Sequence, residues 1–357
     1  EPIHFYADKS HLKYVREEFG EDSSDHVSWN ELSIPGLKAG FYARLAPDFR
    51  MVSSFLDMMT TDDVFVMTAN PSVLWALKYY TAKPSHKGKK VQVILHGDFS
   101  TLYRIPRRSM LNPFYYVGSL KRALKMPGYE RLQHIVLEEP IKDEVLKHLP
   151  FLHRNIEVLD HPIPLNSDSI SMENLDLPIH FAFLGRAIKQ KGFTTYLKVG
   201  AEVTKRFPGK VQFHYIGRVR GRLLSKYAKQ MSFLYQMPGT ERVERSEYTS
   251  RLKAVHFICL FYENKYKSCA SGVLMDSIAW GKPIVGTKVP LFEKLQHTFG
   301  DTGYLSDKED LIEVISSIVG NRDNQRYERQ ISNMMTLKSS RTPEALAVKY
   351  QDIVNNL

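Results

Sequence analysis

The strongest constraint on the fold is a series of nine short apolar segments separated by stretches with helical patterning. The segments are Ile3–Ala7, Val64–Thr68, Val91–His96, His134–Leu137, Ile156–Leu159, Ile179–Leu184, Val211–Ile216, His256–Phe261 and Pro283–Gly286. They lack regular polar–apolar alternation, which is typical of strands buried on both faces of a parallel sheet. The pattern therefore predicts an α/β protein with parallel sheets and right-handed crossover connections.

Helices are predicted in the intervals between these segments. They are Pro71–Tyr80, Asp143–His148, Phe193–Arg206, Ser246–Ala254, Gly272–Trp280 and Lys308–Val319, followed by two helices within 321–357. Pro162 and Pro164, followed by a polar stretch over 166–176, indicate a linker because closely spaced prolines do not fit a central strand or a helix interior. We expect an N-terminal domain over 1–165, a second domain over 166–342, and a last helix over 343–357 that can pack back on the first domain.

The charge balance and several missing motifs exclude function classes. The 357 residues carry 49 Lys and Arg against 39 Asp and Glu, a net charge of +10 that suits nucleic acid, an anionic membrane surface or anionic substrates. Neither a zinc-finger spacing nor an RNA-binding aromatic signature occurs, which disfavours nucleic acid. The P-loop, the usual dinucleotide fingerprint, the zinc-protease and serine-hydrolase motifs, and any Asp-x-Asp pair are also missing.

Two further features of the sequence concern the location of the protein and the state of its thiols. No run of 18 uncharged apolar residues and no signal peptide is found, so a cytoplasmic protein is expected. Cys259 and Cys269 are the two cysteines, and we expect one thiol in a strand and one in a loop rather than a disulfide scaffold.

The turn after Ile179–Leu184 carries two cations between two glycines. It runs from Gly185 to Gly192, with Arg186 and Lys191 five residues apart. Ligands of open α/β sheets bind outside the carboxyl ends of the strands, and arginine grips phosphate with a two-pronged fork. The turn predicts a diphosphate site, and a solvated turn with surface charges is the alternative.

A second segment, Ser268–Val285, follows the apolar segment His256–Phe261. Ser271 and Gly272 start a predicted helix, whose first amides, at 272–274, can receive a phosphate on the helix dipole. Asp276 lies one turn further along, where a carboxylate can accept hydrogen bonds from ribose hydroxyls. An ordinary helix with an N-terminal serine is the alternative.

Together, these two segments resemble the donor-binding half of the retaining glycosyltransferases of family 4, which have the GT-B fold. The family shows Gly-Arg, then Lys-Gly five residues after the Arg, and later two glutamates separated by seven residues and followed by Gly-x-Pro. Arg186 and Lys191 keep the five-residue step, and Asp276 takes the place of the second glutamate. Ser268 stands where the first glutamate belongs, which is a departure from the family pattern.

The resemblance implies two Rossmann-like domains facing a cleft and a C-terminal helix able to cross back. It implies a nucleotide-diphosphate sugar as donor, no cofactor and no metal. The implied catalytic and donor-binding residues are His96, Arg186, Lys191, Ser268, Ser271, Gly272, Val273, Leu274, Asp276, and the nucleobase contacts Met237, Pro238 and Gly239. A surface turn is the alternative for the last three.

The first half of the chain is the expected acceptor side. His96 follows a predicted strand, where it can bond a sugar hydroxyl or the phosphate, although a lone histidine often has a structural role. The connection 99–131 interleaves aromatic rings with cations, which suits an anionic membrane surface, a pyrophosphate-linked acceptor or stacking on a sugar. A basic surface helix packed by its aromatic rings is the alternative. The acceptor-side candidates are Asp98, Tyr103, Arg104 and Arg107.

Three functions are compatible with these motifs. The first is a metal-independent glycosyltransferase that uses a glycan or lipid-linked acceptor, as in bacterial-type surface polysaccharide or glycoconjugate synthesis, in the cytoplasm or at the inner face of the membrane. The second is a hydrolase or epimerase of the UDP-sugar epimerase type, which would need acidic catalytic residues in the cleft. The third is a non-catalytic partner subunit with the same fold, a reading that Ser268 favours.

The basic stretch leads to a prediction about membranes. Replacing its cations with Ser should reduce flotation with anionic vesicles and raise the acceptor KM, because each cation near an anionic surface contributes about 1 kcal/mol. The positions are Arg104, Arg107, Arg108, Lys121 and Arg122. Nucleotide binding should not change, and neutral vesicles are the control. Equal flotation of the variant and the parent protein would contradict a membrane role.

Overall fold

The computed structural model describes residues 3–19, 26–34, 41–59, 61, 63–96, 99–102, 118–164, 174–263 and 269–355. Its strands are β1 Ile3–Ala7, β2 Val27–Glu31, β3 Asp63–Val66, β4 Lys90–Ile94, β5 Leu132–Val136, β6 Ile156–Val158, β7 Ile179–Leu184, β8 Val211–Ile216, β9 Phe257–Leu260, β10 Ile284–Thr287 and β11 Gly303–Ser306. Every strand pair in these sheets is parallel. The predicted α/β class is therefore confirmed.

The helices alternate with the strands along the chain. They are α1 Lys9–Phe19, α2 Phe41–Met58, α3 Pro71–Tyr80, α4 Leu120–Lys125, α5 Glu139–His148, α6 Phe193–Arg206, α7 Gly221–Tyr227, α8 Arg245–Lys253, α9 Gly272–Ala279, α10 Pro290–Phe299, α11 Leu311–Asn321, α12 Asn324–Ser339 and α13 Pro343–Asn355. Asn70 caps α3 as predicted, since its side chain accepts hydrogen bonds from the backbone amides of Ser72 and Val73 and Pro71 opens the helix.

The N-terminal half contains a four-stranded sheet in the order β3-β4-β5-β6 and a separate two-stranded sheet of β1 and β2. The larger sheet is covered by α2, α3 and α5, which bury residues such as Leu56, Leu74 and Val145 against the strands. His96 follows β4 by two residues, at the carboxyl end of this sheet. The N-terminal half thus presents its strand ends as one edge, as the sequence predicts.

The C-terminal half contains a five-stranded sheet in the order β11-β10-β9-β7-β8. The chain first adds β8 on one side of β7 and then returns to place β9, β10 and β11 on the other side. The strand order therefore reverses between β7 and β9, and a crevice opens outside the carboxyl ends of parallel strands at such a point. The predicted diphosphate turn follows β7 and the second predicted segment follows β9, so both lie at this crevice.

The C-terminal sheet is buried on both faces. One face is packed by aromatic rings, with Phe181 stacked against Phe213 and Phe257 at 5.4 Å between ring centroids. The other face packs against α9 and α10, through residues such as Ile278 and Phe292. Two-sided burial explains why these strands read as continuous apolar segments in the sequence.

The last helix returns to the N-terminal half. Ile353 of α13 packs with Ile94, Ile135 and Leu137, and Tyr350 meets Phe65 edge to face at 5.2 Å between centroids. The crossing-back helix expected from the sequence is present. The exact domain boundaries at 165 and 342 stay a prediction, because 165–173 lies outside the described residues.

Arg341 joins the two halves just before α13. Its guanidinium donates to both carboxylate oxygens of Glu138 at 2.5 and 2.9 Å, and to the carbonyl of His161 at 3.2 Å. The same group lies 3.9 Å from the Met275 sulfur on α9. Arg341 and Glu138 are both about 3% exposed, so this is a buried ion pair that holds the connection from β5 to α5, the linker and α9 together.

Several elements were not predicted or differ from the prediction. Strands β2 and β11 and helices α1, α2, α4, α7 and α10 were missed, and the predicted helix Asp143–His148 begins four residues earlier, at Glu139. Cys259 lies buried in β9 and Cys269 lies in a loop, as expected, and the two do not form a disulfide.

Three histidines lie side by side at β7, β8 and the start of β9. The Nδ1 atom of His180 is 2.9 Å from Nε2 of His214, and the backbone N–H of His180 donates to Nδ1 of His256 at 3.0 Å. The pKa of His214 is lowered to about 4, mostly by burial and in addition by the neighbouring His180, Arg251 and His256. In each contact the accepting ring nitrogen must be unprotonated, because a protonated nitrogen cannot accept a hydrogen bond.

Acid should therefore destabilise the C-terminal half. Between pH 6.5, the ordinary histidine pKa, and about pH 4, His214 is protonated in the unfolded chain and neutral in the folded chain. The full contribution of His214 to the free energy of unfolding is therefore present above pH 6.5 and is lost as the pH falls to about 4. The loss from this residue is on the order of 3 kcal/mol. Thermal melts of the parent and of His214→Gln between pH 7.5 and 4 should show a shallower loss in the variant. His153→Gln, at an exposed position, is the control, and equal slopes for parent and His214→Gln would contradict the assignment.

Candidate active site

The turn after β7 brings the two predicted cations to the crevice between β7 and β9. Arg186 is exposed, whereas Lys191 is partly buried at the end of a short 3-10 turn. Gly185 and Gly192 both have positive φ, at 83° and 79°, which glycine adopts without strain. A Cβ atom at Gly192 would lie 1.9 Å from the carbonyl oxygen of Phe261, so a side chain cannot fit there. The glycine is needed for the turn to pack on the end of β9.

Lys191 lies among charged groups that face one another. Burial lowers the pKa of Lys191 most, the nearby Arg186 lowers it further, and Asp276 and Cys269 oppose the shift. A Cβ atom built at Gly185 would be 3.7 Å from the Lys191 nitrogen and 3.4 Å from a methyl group of Val273. The structure therefore brings Arg186, Lys191, Val273 and Asp276 together, as the two motifs predict.

Helix α9 begins at the same crevice. Ser271 caps it, with its Oγ accepting from the N–H of Leu274 at 3.2 Å and lying 2.5 Å from the Tyr262 hydroxyl. The amide of Leu274 is therefore already used, and this corrects the expectation that all three amides at 272–274 are available. In the part of the chain that the structure describes, no acceptor takes the N–H of Gly272 or Val273. No atom lies within 4 Å of a Cβ built at Gly272, so a ligand can approach the backbone there.

Asp276 is held by residues that the sequence analysis missed. The hydroxyl of Tyr248 on α8 donates to its Oδ2 at 2.7 Å. Burial raises the pKa of Asp276, while the hydrogen bond from Tyr248 and the charges of Lys191 and Arg245 lower it. One carboxylate oxygen is thus fixed by Tyr248, which orients the group. The sequence contained a weak signal, since Tyr248 and Arg245 lie in the first turn of α8, before the strand that leads to this site.

The segment Met237–Gly239 lies beside the turn that follows β8. The carbonyl of Gly239 accepts from the N–H of Val219 at 3.0 Å, whereas Met237 is 47% exposed and Pro238 is buried. A Cβ atom at Gly217 would lie 2.2 Å from the carbonyl oxygen of Gly185, so the turns after β7 and β8 are in close contact. The predicted nucleobase segment is therefore next to the predicted diphosphate turn.

His96 lies on the other half of the molecule. Its ring meets that of His161 edge to face, with 6.3 Å between centroids. Partial burial lowers the pKa of His96, and His161 lowers it further. Within the described residues, His96 forms no hydrogen bond, ion pair or ring contact with Arg186 or Lys191. The connection is indirect, because the His161 backbone contacts Glu138 and Arg341, and Arg341 reaches Met275 of α9.

Five of the predicted residues lie outside the described residues. They are Ser268 on the donor side and Asp98, Tyr103, Arg104 and Arg107 on the acceptor side. Of the basic stretch, Lys121, Arg122 and Lys125 are described and belong to α4. Their predicted roles stay predictions.

The described residues contain neither a cluster of metal ligands nor a helix that could cross a membrane. Across the described ranges, no cluster of three or more His, Cys, Asp or Glu side chains has the arrangement of a metal site. Among the helices of those ranges, none is both long and apolar enough to span a bilayer.

Comparison with solved structures places the fold. The chain superimposes on the glycosyltransferase WaaG with a TM-score of 0.62 at 14% identity, over 99% of this chain and 98% of that one. Sucrose-phosphate synthase from Thermosynechococcus elongatus gives 0.64 at 14% identity, over 99% and 98%. TarM of S. aureus, in a complex with fondaparinux, α-GlcNAc-glycerol and UDP, gives 0.60 at 14% identity over 86% of this chain.

These similarities confirm a GT-B arrangement of two Rossmann-like domains. The chain spans 59% of the length of the TarM chain. No protein-family model and no curated protein sequence matches the chain.

The cation pair leads to a binding prediction. Arg186→Ala and Lys191→Ala should each weaken binding of a nucleoside diphosphate by roughly 1.5–3 kcal/mol, because each removes a charge-assisted phosphate contact. Isothermal titration with UDP and GDP measures the loss. Lys189→Ala, at an exposed lysine in the same turn, is the matched control and should bind like the parent. If both site variants also bind like the parent, while the parent clearly binds one nucleotide, the diphosphate assignment is wrong.

Proposed function

We propose that this protein is a retaining, metal-independent glycosyltransferase that uses a nucleotide-diphosphate sugar as donor. The observation that carries the proposal is the convergence of Arg186, Lys191 and the open start of helix α9 at the crevice where the strand order reverses. The two cations and the helix N-terminus suit a diphosphate, because the side chains and the helix start all supply positive charge and N–H donors. The GT-B fold of WaaG, a glycosyltransferase involved in lipopolysaccharide biosynthesis, supports the same reading.

The geometry suggests a role for each group. The diphosphate gains negative charge as it leaves the sugar, and Arg186 and Lys191 stabilise that charge from fixed positions. The amides of Gly272 and Val273 add donors at the same edge. Asp276, oriented by Tyr248, accepts hydrogen bonds from the ribose hydroxyls. With these cations in place, the reaction needs no metal ion, and the leaving phosphate can take the proton of the acceptor.

His96 faces the donor from the N-terminal domain in this proposal. It bonds a hydroxyl of the transferred sugar or the phosphate, and His161 beside it limits its orientation. The acceptor, a glycan or a lipid-linked sugar, binds the N-terminal domain near Asp98, Tyr103, Arg104 and Arg107. A peripheral membrane position follows if the acceptor is lipid-linked. TarM was crystallised with UDP and α-GlcNAc-glycerol, which supports a nucleotide donor and a glycosyl acceptor for this fold.

Ser268 favours a second candidate. A non-catalytic partner subunit would keep the nucleotide crevice without the glutamate that the resembling family has at this place. An epimerase or hydrolase is less well supported, because within the described residues Asp276 is the one carboxylate whose charge affects the pKa of Lys191. Product analysis without an acceptor separates hydrolysis and epimerisation from transfer.

Activity should survive EDTA. A panel of sugar nucleotides with glycan and lipid-linked acceptors is assayed for initial rates with EDTA and with added Mg²⁺ or Mn²⁺. Equal rates are expected because Arg186 and Lys191 supply the charge that a metal would supply. NMR of the product should show the anomeric configuration of the donor. A strict metal requirement would contradict metal independence, an inverted anomer would contradict retention, and donor binding without turnover would support the partner subunit.

A further inference from the structure

A pocket of about 210 Å³ lies beside the proposed diphosphate site. It is lined by Arg186, Ala187, Ile188, Arg218, Arg220 and Thr240. Arg186 belongs to the diphosphate turn, and Thr240 directly follows the segment Met237–Gly239. The pocket therefore lies between the phosphate end and the proposed nucleobase segment, which is where the nucleoside part of a donor would reach.

The walls of this pocket are held in place by the backbone. The hydroxyl of Tyr215 lies 2.7 Å from the carbonyl oxygen of Gly185 and 3.1 Å from that of Arg218. The N–H of Val219 is bonded to the carbonyl of Gly239 at 3.0 Å. These contacts join all three parts of the lining, so the arginines project from a fixed frame.

Three guanidinium groups line the pocket without a described counter-charge. Within the described residues, no carboxylate forms an ion pair with Arg186, Arg218 or Arg220. A guanidinium donates hydrogen bonds and cannot accept them. Apart from the hydroxyl of Thr240, the polar side chains of the lining are therefore hydrogen-bond donors only. A ligand that fits this pocket should present acceptors to them.

Nucleobases differ in what they present to such donors. Guanine shows two acceptors, N7 and O6, on one edge, and a uracil-type base shows the O4 acceptor. Adenine and cytosine carry an amino donor at the matching position. Guanidinium groups can also stack on the face of any base. The edge contact, rather than stacking, therefore distinguishes the two kinds of base.

We infer that Arg218 and Arg220 select donors with a keto base, uracil or guanine, over donors with an amino base, adenine or cytosine. This inference rests on the proposed function, since it assigns the base of the same nucleotide. The alternative occupant of the pocket is a further anionic group, such as a phosphate on the substrate, which these cations could also bind. The position next to Met237–Gly239 favours the base.

Isothermal titration with UDP, GDP, CDP and ADP tests the inference. The parent protein should bind UDP and GDP about 10-fold more tightly than CDP and ADP, which lies at the lower end of the discrimination that a specific side-chain contact to a base edge gives. The variant Arg218→Gln/Arg220→Gln should lose this preference, mainly through weaker binding of UDP and GDP. Arg222→Gln removes a charge from the adjacent exposed turn of α7, outside the pocket lining, and should keep the preference. Both arginines are exposed, and thermal melts verify that the variants fold.

Other outcomes overturn the inference in distinguishable ways. Equal binding of all four nucleotides by the parent, or an unchanged preference in the variant, would reject base selection and leave the proposed function standing. An equal loss for all four nucleotides in the variant would assign the arginines to an anionic group instead. A parent protein that binds none of the four would reject the proposed function, and the inference with it.

Discussion

The reversal of strand order between β7 and β9 is the constraint on which the rest of the structure depends. Parallel strands place their carboxyl ends at one edge, and the reversal keeps the connections from covering that edge. Arg186 and Lys191 after β7, and helix α9 after β9, therefore meet across one crevice. Close backbone packing fixes this meeting, because Gly192 lies against the end of β9 and Gly217 against Gly185. A side chain at Gly192 would push the turn after β7 away from the end of β9. A side chain at Gly217 would push the turns after β7 and β8 apart.

The crevice has an electrostatic imbalance that suits an anionic ligand. Lys191 is partly buried and has Arg186 beside it, both of which lower its pKa, and Asp276 offsets only part of that cost. Arg218, Arg220 and Arg245 add positive charge nearby. Like charges held together destabilise the free protein slightly, and the diphosphate that we propose as ligand would relieve that repulsion. Arrangements of this kind are common at functional sites, where local stability is reduced in exchange for tight binding.

The buried pair of Arg341 and Glu138 determines how the two domains meet. Each group would be costly to bury alone, so the pair requires that the linker, the connection from β5 to α5, and α9 come together around it. Its contacts include the His161 backbone, and His161 is the neighbour of His96. The same pair lies just before α13, whose Ile353 completes a small core on the N-terminal sheet. The position of His96 relative to the crevice between β7 and β9 thus depends on a contact far away in the sequence.

Local pattern was enough to predict the C-terminal strands and the turn that carries Arg186 and Lys191. Strands β7 and β8 and helix α6 match their predicted bounds, because a strand buried on both faces is apolar along its whole length. Helix α2 was missed for the opposite reason. Its buried stripe contains the Arg44–Asp48 ion pair, and it includes Pro47, so its buried positions look solvated in the sequence. Strand β11 is four residues long at the edge of its sheet and carries little apolar signal.

The sequence by itself determined the fold class, the cation pair and the carboxylate, because glycine, charge and apolar runs act over a few residues. The tertiary structure decided which of those residues meet. Tyr248 orients Asp276, Arg218 and Arg220 share a pocket with Arg186, and His96 packs on His161. These contacts join residues that are 28 to 65 positions apart in the sequence and that follow different strands. They depend on strand order and on the buried Arg341–Glu138 pair, neither of which has a local signature in the sequence.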